Sequence, residues 1–247
     1  MRIQFIPEGR QAPGSFNQGE IKEFRPVFPD GKYPHLSPFS NLFYWANAWA
    51  EKDSTIGLHP HKGFEIMSFV IKGDIEHYDT KLRTWKPLKA GDVQIIRSGS
   101  GISHSEKMHK GAQIFQIWFD PNLSETFGVP ATYNDYTSQD FPVSIENDIK
   151  KTIFKGENAP IEMHTKGVEI WQAAIPEGDF TLSLPKDKIH ACFVIEGALT
   201  VENQEVKTND FFKLSETDTL TASASIESKL FIISTLLSVP YRTYANG

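Results

Sequence analysis

The tripeptide His59-Pro60-His61 is the stretch of the sequence with the clearest chemical potential. Side chains two residues apart on a β-strand project from the same face, so this spacing can aim two imidazoles at one point. His104 and Glu106 form a second same-face pair, an imidazole and a carboxylate, just after a turn-forming run of serine and glycine. Three imidazoles with one or two carboxylates make a divalent-metal site, and this is the chemistry that these residue types indicate.

A second glutamate leaves the identity of the carboxylate ligand open. Glu65 has the same parity as His59 and His61 if one strand continues through it without a bulge. In that case Met67 and Phe69 share the face and supply an apolar wall beside the histidines. Spacing alone therefore keeps both Glu65 and Glu106 as candidate ligands. The remaining histidines have no such partners and are interpreted as structural or surface residues: His35, His77, His109, His164 and His190.

Short β-strands are the elements that have to position these residues. Helical periodicity is hard to find, whereas runs of β-branched and aromatic residues recur between turn signals about every ten residues. That spacing favours an antiparallel barrel or sandwich over a parallel α/β sheet. The predicted strands cover residues 63–71, 75–79, 92–97, 113–119, 168–175, 180–184, 191–195, 198–202, 210–214, 219–224 and 229–236.

An internal repeat indicates that one fold is used twice. Residues 69–74 are echoed by residues 193–198, 124 positions later, and residues 91–93 are echoed by residues 209–211 at an offset of 118. We predict two domains, residues 1–133 and 134–247, with the polar stretch 120–142 as the linker. The same offsets carry the candidate ligands onto Ser183, Pro185, Ile189, Ala222 and Ala224. Because these residues cannot ligate a metal as the first set does, the second domain is predicted to be metal-free and structural.

The overall composition narrows the range of partners. The 247 residues carry 31 acidic and 25 basic side chains, a formal net charge of -6, so no net basic field attracts nucleic-acid phosphates or an anionic membrane surface. A single cysteine, Cys192, excludes an intrachain disulfide. The longest nearly apolar run, residues 230–239, is far shorter than the roughly 20 residues that span a bilayer. We therefore expect a cytoplasmic protein with no direct nucleic-acid partner and no membrane partner.

Three stretches of the chain together resemble the signature of the pirins, a branch of the cupin superfamily. They are His59-Pro60-His61-Lys62-Gly63-Phe64-Glu65, Gly73-x2-Glu76-His77-x-Asp79, and the run from Gly91-Asp92-Val93-Gln94 through Ser98-Gly99-Ser100-Gly101-Ile102-Ser103-His104-Ser105-Glu106. The resemblance implies an all-β protein of two cupin-type double-stranded β-helix (jelly-roll) barrels packed side by side, with one metal in the first barrel. It also implies four protein ligands for that metal: His59, His61, His104 and Glu106. Fe(II) is the favoured metal, with Zn, Mn, Ni, Cu and Co as alternatives.

The resemblance also implies an activity. Ring cleavage of flavonols, of the quercetin 2,3-dioxygenase type, is the recurrent reaction of the family, so a small aromatic enol or hydroxy-ketone and dioxygen are the expected partners. Glu65 and Glu106 are the candidate catalytic carboxylates, and Glu65 is expected to remove the substrate's hydroxyl proton or to orient a ligand histidine. One alternative is a binding module whose iron oxidation state alters a surface that docks on a transcription or metabolic protein. Another is a structural zinc site, closed to substrate.

Overall fold

The computed structural model describes residues 1–245 as a succession of antiparallel β-strands. The first half of the chain forms β1 (Arg2–Ile6), β2 (Ala12–Phe16), β3 (Ile21–Val27), β4 (Leu42–Ala50), β5 (Ser54–His61), β6 (Glu65–Lys72), β7 (Asp74–Asp79), β8 (Trp85–Lys89), β9 (Val93–Arg97), β10 (Ile102–Met108), β11 (Gln113–Phe119) and β12 (Thr132–Tyr136). The second half forms β13 (Val143–Glu146), β14 (Ile149–Lys155), β15 (Glu169–Ile175), β16 (Gly178–Ser183), β17 (Lys188–Glu196), β18 (Ala198–Val201), β19 (Gln204–Lys207), β20 (Phe211–Ser215), β21 (Thr219–Ala224) and β22 (Ser228–Leu236).

Helical structure is confined to short segments between the strands. These are α1 (Leu123–Thr126) and 3-10 turns at Glu8–Arg10, Asn17–Gly19, Pro34–Leu36 and Ser138–Asp140. Within residues 1–245, none of the helices has the length and apolar character needed to cross a membrane.

The strands group into two barrels, each with one seven-stranded and one four-stranded sheet. The N-terminal barrel comprises residues 11–140, 162–166 and 239–245, and the C-terminal barrel comprises residues 1–10, 141–161 and 167–238. The strand orders are β12-β9-β6-β11-β4-β3-β2 with β5-β10-β7-β8 in the N-terminal barrel, and β1-β20-β17-β22-β15-β14-β13 with β16-β21-β18-β19 in the C-terminal barrel. The two orders correspond strand for strand, and the predicted all-β fold of two jelly-roll barrels is confirmed.

The chain does not pass from one barrel to the other at a single point. Asn134, the predicted boundary, lies in β12, which pairs with β9, and the compact units change between residues 140 and 141. Since β1 pairs with β20, the first ten residues belong with the C-terminal barrel. The stretch 120–142, predicted as a linker, contains α1 and β12. The ranges 1–133 and 134–247 stay a prediction as domains, and residues 246 and 247 lie outside the described part of the chain.

The interiors of the two barrels differ in polarity. In the C-terminal barrel, β16 and β21 contribute Phe180, Leu182 and Ala222 to one continuous apolar core. In the N-terminal barrel, β5 and β10 take the corresponding places in the four-stranded sheet but carry the predicted metal ligands. Among the described residues, Ile56 and Met108 of these strands join one apolar cluster and Ile102 joins another.

Strand β10 places two polar side chains between two apolar clusters. Residues of one face alternate along it in the order Ile102, His104, Glu106 and Met108. Ile102 belongs to one apolar cluster and Met108 to the other. The imidazole and the carboxylate therefore lie between two apolar layers, in a part of the barrel shielded from water.

Candidate metal centre

His59, His61 and His104 meet inside the N-terminal barrel. β5 and β10 are antiparallel neighbours in which His59 lies opposite His104. The ring centroids of these two are 4.4 Å apart, and the ring of His61 lies 4.8 Å from each of them. Pro60 is tolerated between the two candidate ligands because β5 is an edge strand. One ligand nitrogen from each imidazole lies within 4.8 Å of the others, so the three histidines form a group that can hold a metal ion.

Several buried polar atoms of this group have no hydrogen-bond partner among residues 1–245. They are Nε2 of His61, Nδ1 and Nε2 of His104, and Oε2 of Glu106. Buried polar atoms in proteins are nearly always paired, so a cluster of unpaired ones indicates a missing partner. Because the free atoms are imidazole nitrogens and a carboxylate oxygen, the partner that fits them is a divalent cation.

The imidazoles are in the form that binds metals. Nδ1 of His59 lies 2.8 Å from the carbonyl oxygen of Gly57, an arrangement that suits a proton on Nδ1 and leaves the lone pair of Nε2 for a metal. Burial, reinforced by His104 and His59, lowers the pKa of His61 to about 3. Burial also lowers the pKa of His104 well below its usual value. Near neutral pH, His61 and His104 are therefore uncharged, as a metal ligand must be.

Glu106, the fourth predicted ligand, is not part of the group of ligand atoms that the three histidines bring within 4.8 Å of one another, but it is buried two residues from His104 on β10. A β-bulge after His104 brings Glu106 opposite Ile56 of β5. Its Oε1 accepts hydrogen bonds from Nε2 of Gln116 at 2.6 Å and from Oγ of Ser68 at 3.3 Å, while Oε2 is left free. Burial raises the pKa of this carboxyl group because it disfavours the charged form. A cation bound nearby would stabilise that charged form.

Replacement of Glu106 by glutamine is expected to weaken metal binding while the fold is kept. The amide retains the shape and the oxygen that Gln116 and Ser68 contact, but it lacks the negative charge that stabilises a bound cation. Residues that only support metal ligands are worth roughly 10-fold to 100-fold in affinity, so a loss of at least that size is expected.

Calorimetric metal titration measures this loss, and thermal unfolding of the metal-free protein measures the stability. Glu51→Gln, a change at an exposed carboxylate paired with Lys22, is the matched control. An affinity of Glu106→Gln equal to that of the control would remove Glu106 from the ligand set.

The structure places Glu65 outside this centre. Its carboxylate accepts the backbone N–H of His164 at 2.7 Å, the backbone N–H of Thr165 at 2.8 Å and the Thr165 hydroxyl. Nε of Arg97 lies 4.0 Å from its Oε1. The hypothesis that Glu65 serves as the catalytic base, or orients a ligand histidine, finds no support in this arrangement. Its carboxylate instead anchors the segment 162–166 on the N-terminal barrel.

The expectation that Met67 and Phe69 share a face with the ligand histidines is corrected by the structure. The chain turns at Gly63, which has a φ of 86°, and β5 and β6 belong to different sheets. Ser68, whose hydroxyl reaches Glu106, shows which face of β6 looks into the site, so its neighbours Met67 and Phe69 face the other way. The apolar wall near the site is a different set of residues: Phe64, Ile66, Ile96, Ile102, Trp118, Ala131 and Tyr133.

His77, for which the sequence predicts a structural or surface role, lies next to the candidate ligands. It is buried on β7 opposite Glu106, and its ring centroid lies 5.5 Å from that of His104. The ring stacks on Tyr133, and Nε2 lies 3.2 Å from Oδ2 of Asp79. The pairing register of β7 with β10 places His77 in the site. That register cannot be predicted from the sequence alone.

A cavity of about 530 Å³ that is open to solvent is lined by His61, one of the three histidines of the group. Its lining includes the ligand His61, the apolar Ile102 and the polar side chains of Lys62, Thr80 and Ser103. A small molecule can therefore reach His61 from outside the barrel and meet both apolar and hydrogen-bonding groups on the way.

Comparison with known proteins identifies relatives in sequence. A family model described as Pirin matches residues 21–119. A Zymomonas mobilis protein, named provisionally as a quercetin 2,3-dioxygenase, is 26% identical over 197 residues, which cover 77% of this chain and 80% of that protein. An Escherichia coli K12 protein named quercetin 2,3-dioxygenase is 34% identical over 91 residues, which cover 36% of this chain and 39% of that protein.

Comparison of structures shows that the whole fold is shared. A crystal structure of the Escherichia coli pirin YhhW in complex with nickel(II) superposes with a TM-score of 0.78 at 21% sequence identity. The match covers 96% of this chain and all of that chain, 100%. The likeness therefore extends over both barrels and is not restricted to the segment matched by the family model.

Proposed function

From the match of residues 21–119 to the Pirin family model, we propose that this chain is a pirin whose N-terminal barrel is a metal-dependent dioxygenase of the quercetin 2,3-dioxygenase type. The observation that carries the proposal is the convergence of three imidazoles, one of which, His61, lines a cavity that is open to solvent. The names of the relatives support the reaction type, and the nickel(II) complex of YhhW, which shares the fold, supports a metal-binding role. Fe(II) is the metal that we propose for this chain.

The proposed ligands leave room for a substrate. His59, His61, His104 and Glu106 would fill four positions of a six-coordinate ion, so that up to two stay open. When bound, the metal would act as a Lewis acid and template that holds an enol oxygen and dioxygen close together.

The residues of the chain would then bind and deprotonate the substrate. Ile102 lines the cavity and packs in one apolar cluster with Phe64 and Trp118, and this cluster would supply apolar surface for a flat aromatic molecule such as a flavonol. Oε1 of Glu106 is held by Gln116, so Oε2 is the oxygen that we propose to face the metal and to accept the hydroxyl proton of an arriving substrate.

Oxygen consumption with quercetin is the test of this function. Iron-loaded protein is expected to take up dioxygen in proportion to the flavonol consumed, and His61→Ala is expected to lose this turnover because it removes a ligand at the cavity floor. His109→Ala, a change at a partly exposed histidine paired with Asp53 and Glu76, is the control that should retain it. No oxygen uptake with any flavonol at full iron occupancy would contradict the proposal. In that case the alternative of a metal-dependent binding module, which stays a prediction, becomes the better account.

A further inference from the structure

Two aromatic side chains extend from the candidate ligands towards a buried carboxylate. The ring of Trp118 lies 4.8 Å from that of His61 and 4.8 Å from that of Tyr44. Trp118 and Tyr44 are direct partners in the pairing of β11 with β4. The hydrogen-bonded register of the sheet therefore holds the two rings together and holds one of them against a ligand.

Trp118 also reaches the centre through hydrogen bonds. Its Nε1–H donates to Oε1 of Gln116 at 3.2 Å, and Nε2–H of Gln116 donates to Oε1 of Glu106 at 2.6 Å. The indole therefore contacts the ring of one candidate ligand, His61. The side-chain amide of Gln116 links it by hydrogen bonds to another candidate ligand, Glu106.

Tyr44, the ring farther from the candidate ligands, contacts a proton acceptor. Its hydroxyl donates to Oε2 of Glu23 at 3.1 Å, and Nε of Arg25 lies 3.4 Å from the other oxygen of that buried carboxylate. Burial raises the pKa of Glu23, and the neighbouring Arg25 guanidinium opposes this rise by stabilising the charged form of the carboxylate. Burial, together with Glu23, raises the pKa of Tyr44 well above its usual value, so the phenol keeps its proton in the resting protein. A phenol that loses an electron becomes a strong acid, and Glu23 is already in place to take the proton.

We propose that Trp118 and Tyr44 form an oxidation relay that delivers one electron to the metal centre, with Glu23 accepting the proton of Tyr44. Indole and phenol are the aromatic side chains that can be oxidised by one electron, whereas phenylalanine at either position could not serve. When a peroxide reacts at the iron and no organic substrate is bound, the relay is oxidised in place of the ligand histidines. This inference rests on the metal-binding part of the proposed function and does not depend on the flavonol.

The reaction balances with hydrogen peroxide as the oxidant. One peroxide takes two electrons and two protons, its O–O bond breaks, and two waters form. A bound Fe(II) would supply one of the two electrons and end as Fe(III). Tyr44 supplies the other electron through Trp118 and becomes a neutral radical, while its O–H proton moves to Glu23. The two protons consumed by the peroxide come from solvent.

Electron paramagnetic resonance after rapid mixing of the Fe(II)-loaded protein with one equivalent of peroxide tests the relay. We expect a tyrosyl radical whose spectrum narrows when the protein contains ring-deuterated tyrosine. Tyr44→Phe is expected to lose this signal and to show more oxidation of the peptide that contains His61 by mass spectrometry. Trp118→Phe is also expected to lose the tyrosyl signal, because it interrupts the path between Tyr44 and His61.

Tyr78→Phe is the matched control, because Tyr78 also pairs with an indole, that of Trp85, and should leave the signal intact. Iron content is measured on every sample. Iron-loaded protein that forms no tyrosyl radical, or a signal undiminished in Tyr44→Phe, overturns the relay alone. A chain that retains no iron overturns the metal site and the relay with it.

Discussion

His104→Ala is expected to abolish stoichiometric metal binding. His104 is the most deeply buried of the three histidines, and both of its ring nitrogens are without a hydrogen-bond partner in the described chain. Its removal leaves only two of the three imidazoles, those of His59 and His61, in the candidate metal centre. Since residues that only support ligands contribute about 10-fold to 100-fold, loss of this ligand is expected to cost more than about 100-fold in affinity.

Elemental analysis and metal titration of the purified variant measure this effect. The matched control is His190→Ala, because His190 is equally buried but lies in the C-terminal barrel, where its Nδ1 lies 2.8 Å from Oγ of Ser234. The control is expected to lose stability and to keep its metal. Full metal content in His104→Ala would show that the ion, if one binds, is held elsewhere.

Glu65→Ala is expected to destabilise the protein strongly. The substitution removes the acceptor of two backbone N–H groups and one hydroxyl of residues 164 and 165, and it leaves the buried Arg97 without a nearby carboxylate. Removing one partner of a buried ion pair typically costs about 3–5 kcal/mol. We expect a loss of that order in the free energy of unfolding of the metal-free protein.

Urea denaturation measures the loss, and Glu65→Gln is the informative comparison. The amide keeps the shape and one acceptor oxygen, so its effect should be smaller than that of alanine. Folded Glu65→Ala should still bind one metal per chain, because Glu65 points to the segment 162–166 and not to the histidines. A Glu65→Ala variant that loses its metal but keeps its stability would instead show that Glu65 belongs to the metal centre.

The elements that sequence reasoning found are those whose signal is local. The predicted strand 113–119 coincides with β11, because a dense run of β-branched and aromatic residues marks it without reference to other strands. The same-face geometry of His59 and His61 follows from the two-residue period of one strand, and the structure indeed brings these rings together with His104. The predicted strands did not include β5 and β10, because ligand residues replace the apolar pattern in strands that line a polar site.

The features that sequence reasoning missed depend on long-range geometry. The parity between His61 and Glu65 fails because Gly63 turns the chain into another sheet. The partners of Glu65 lie 99 and 100 residues further along the chain, and no local pattern points to them. His77 enters the site only because β7 pairs with β10 in one register.

Anomalous X-ray diffraction at the iron edge, from crystals of the iron-loaded protein, tests the central claim most directly. We expect one strong peak per chain, about 2.1 Å from a nitrogen of each of His59, His61 and His104, a separation typical of metal–imidazole bonds. Oε2 of Glu106 is expected to complete the protein ligands. A fully iron-loaded crystal with no peak between these three rings, or with its peak in the C-terminal barrel, would contradict the account.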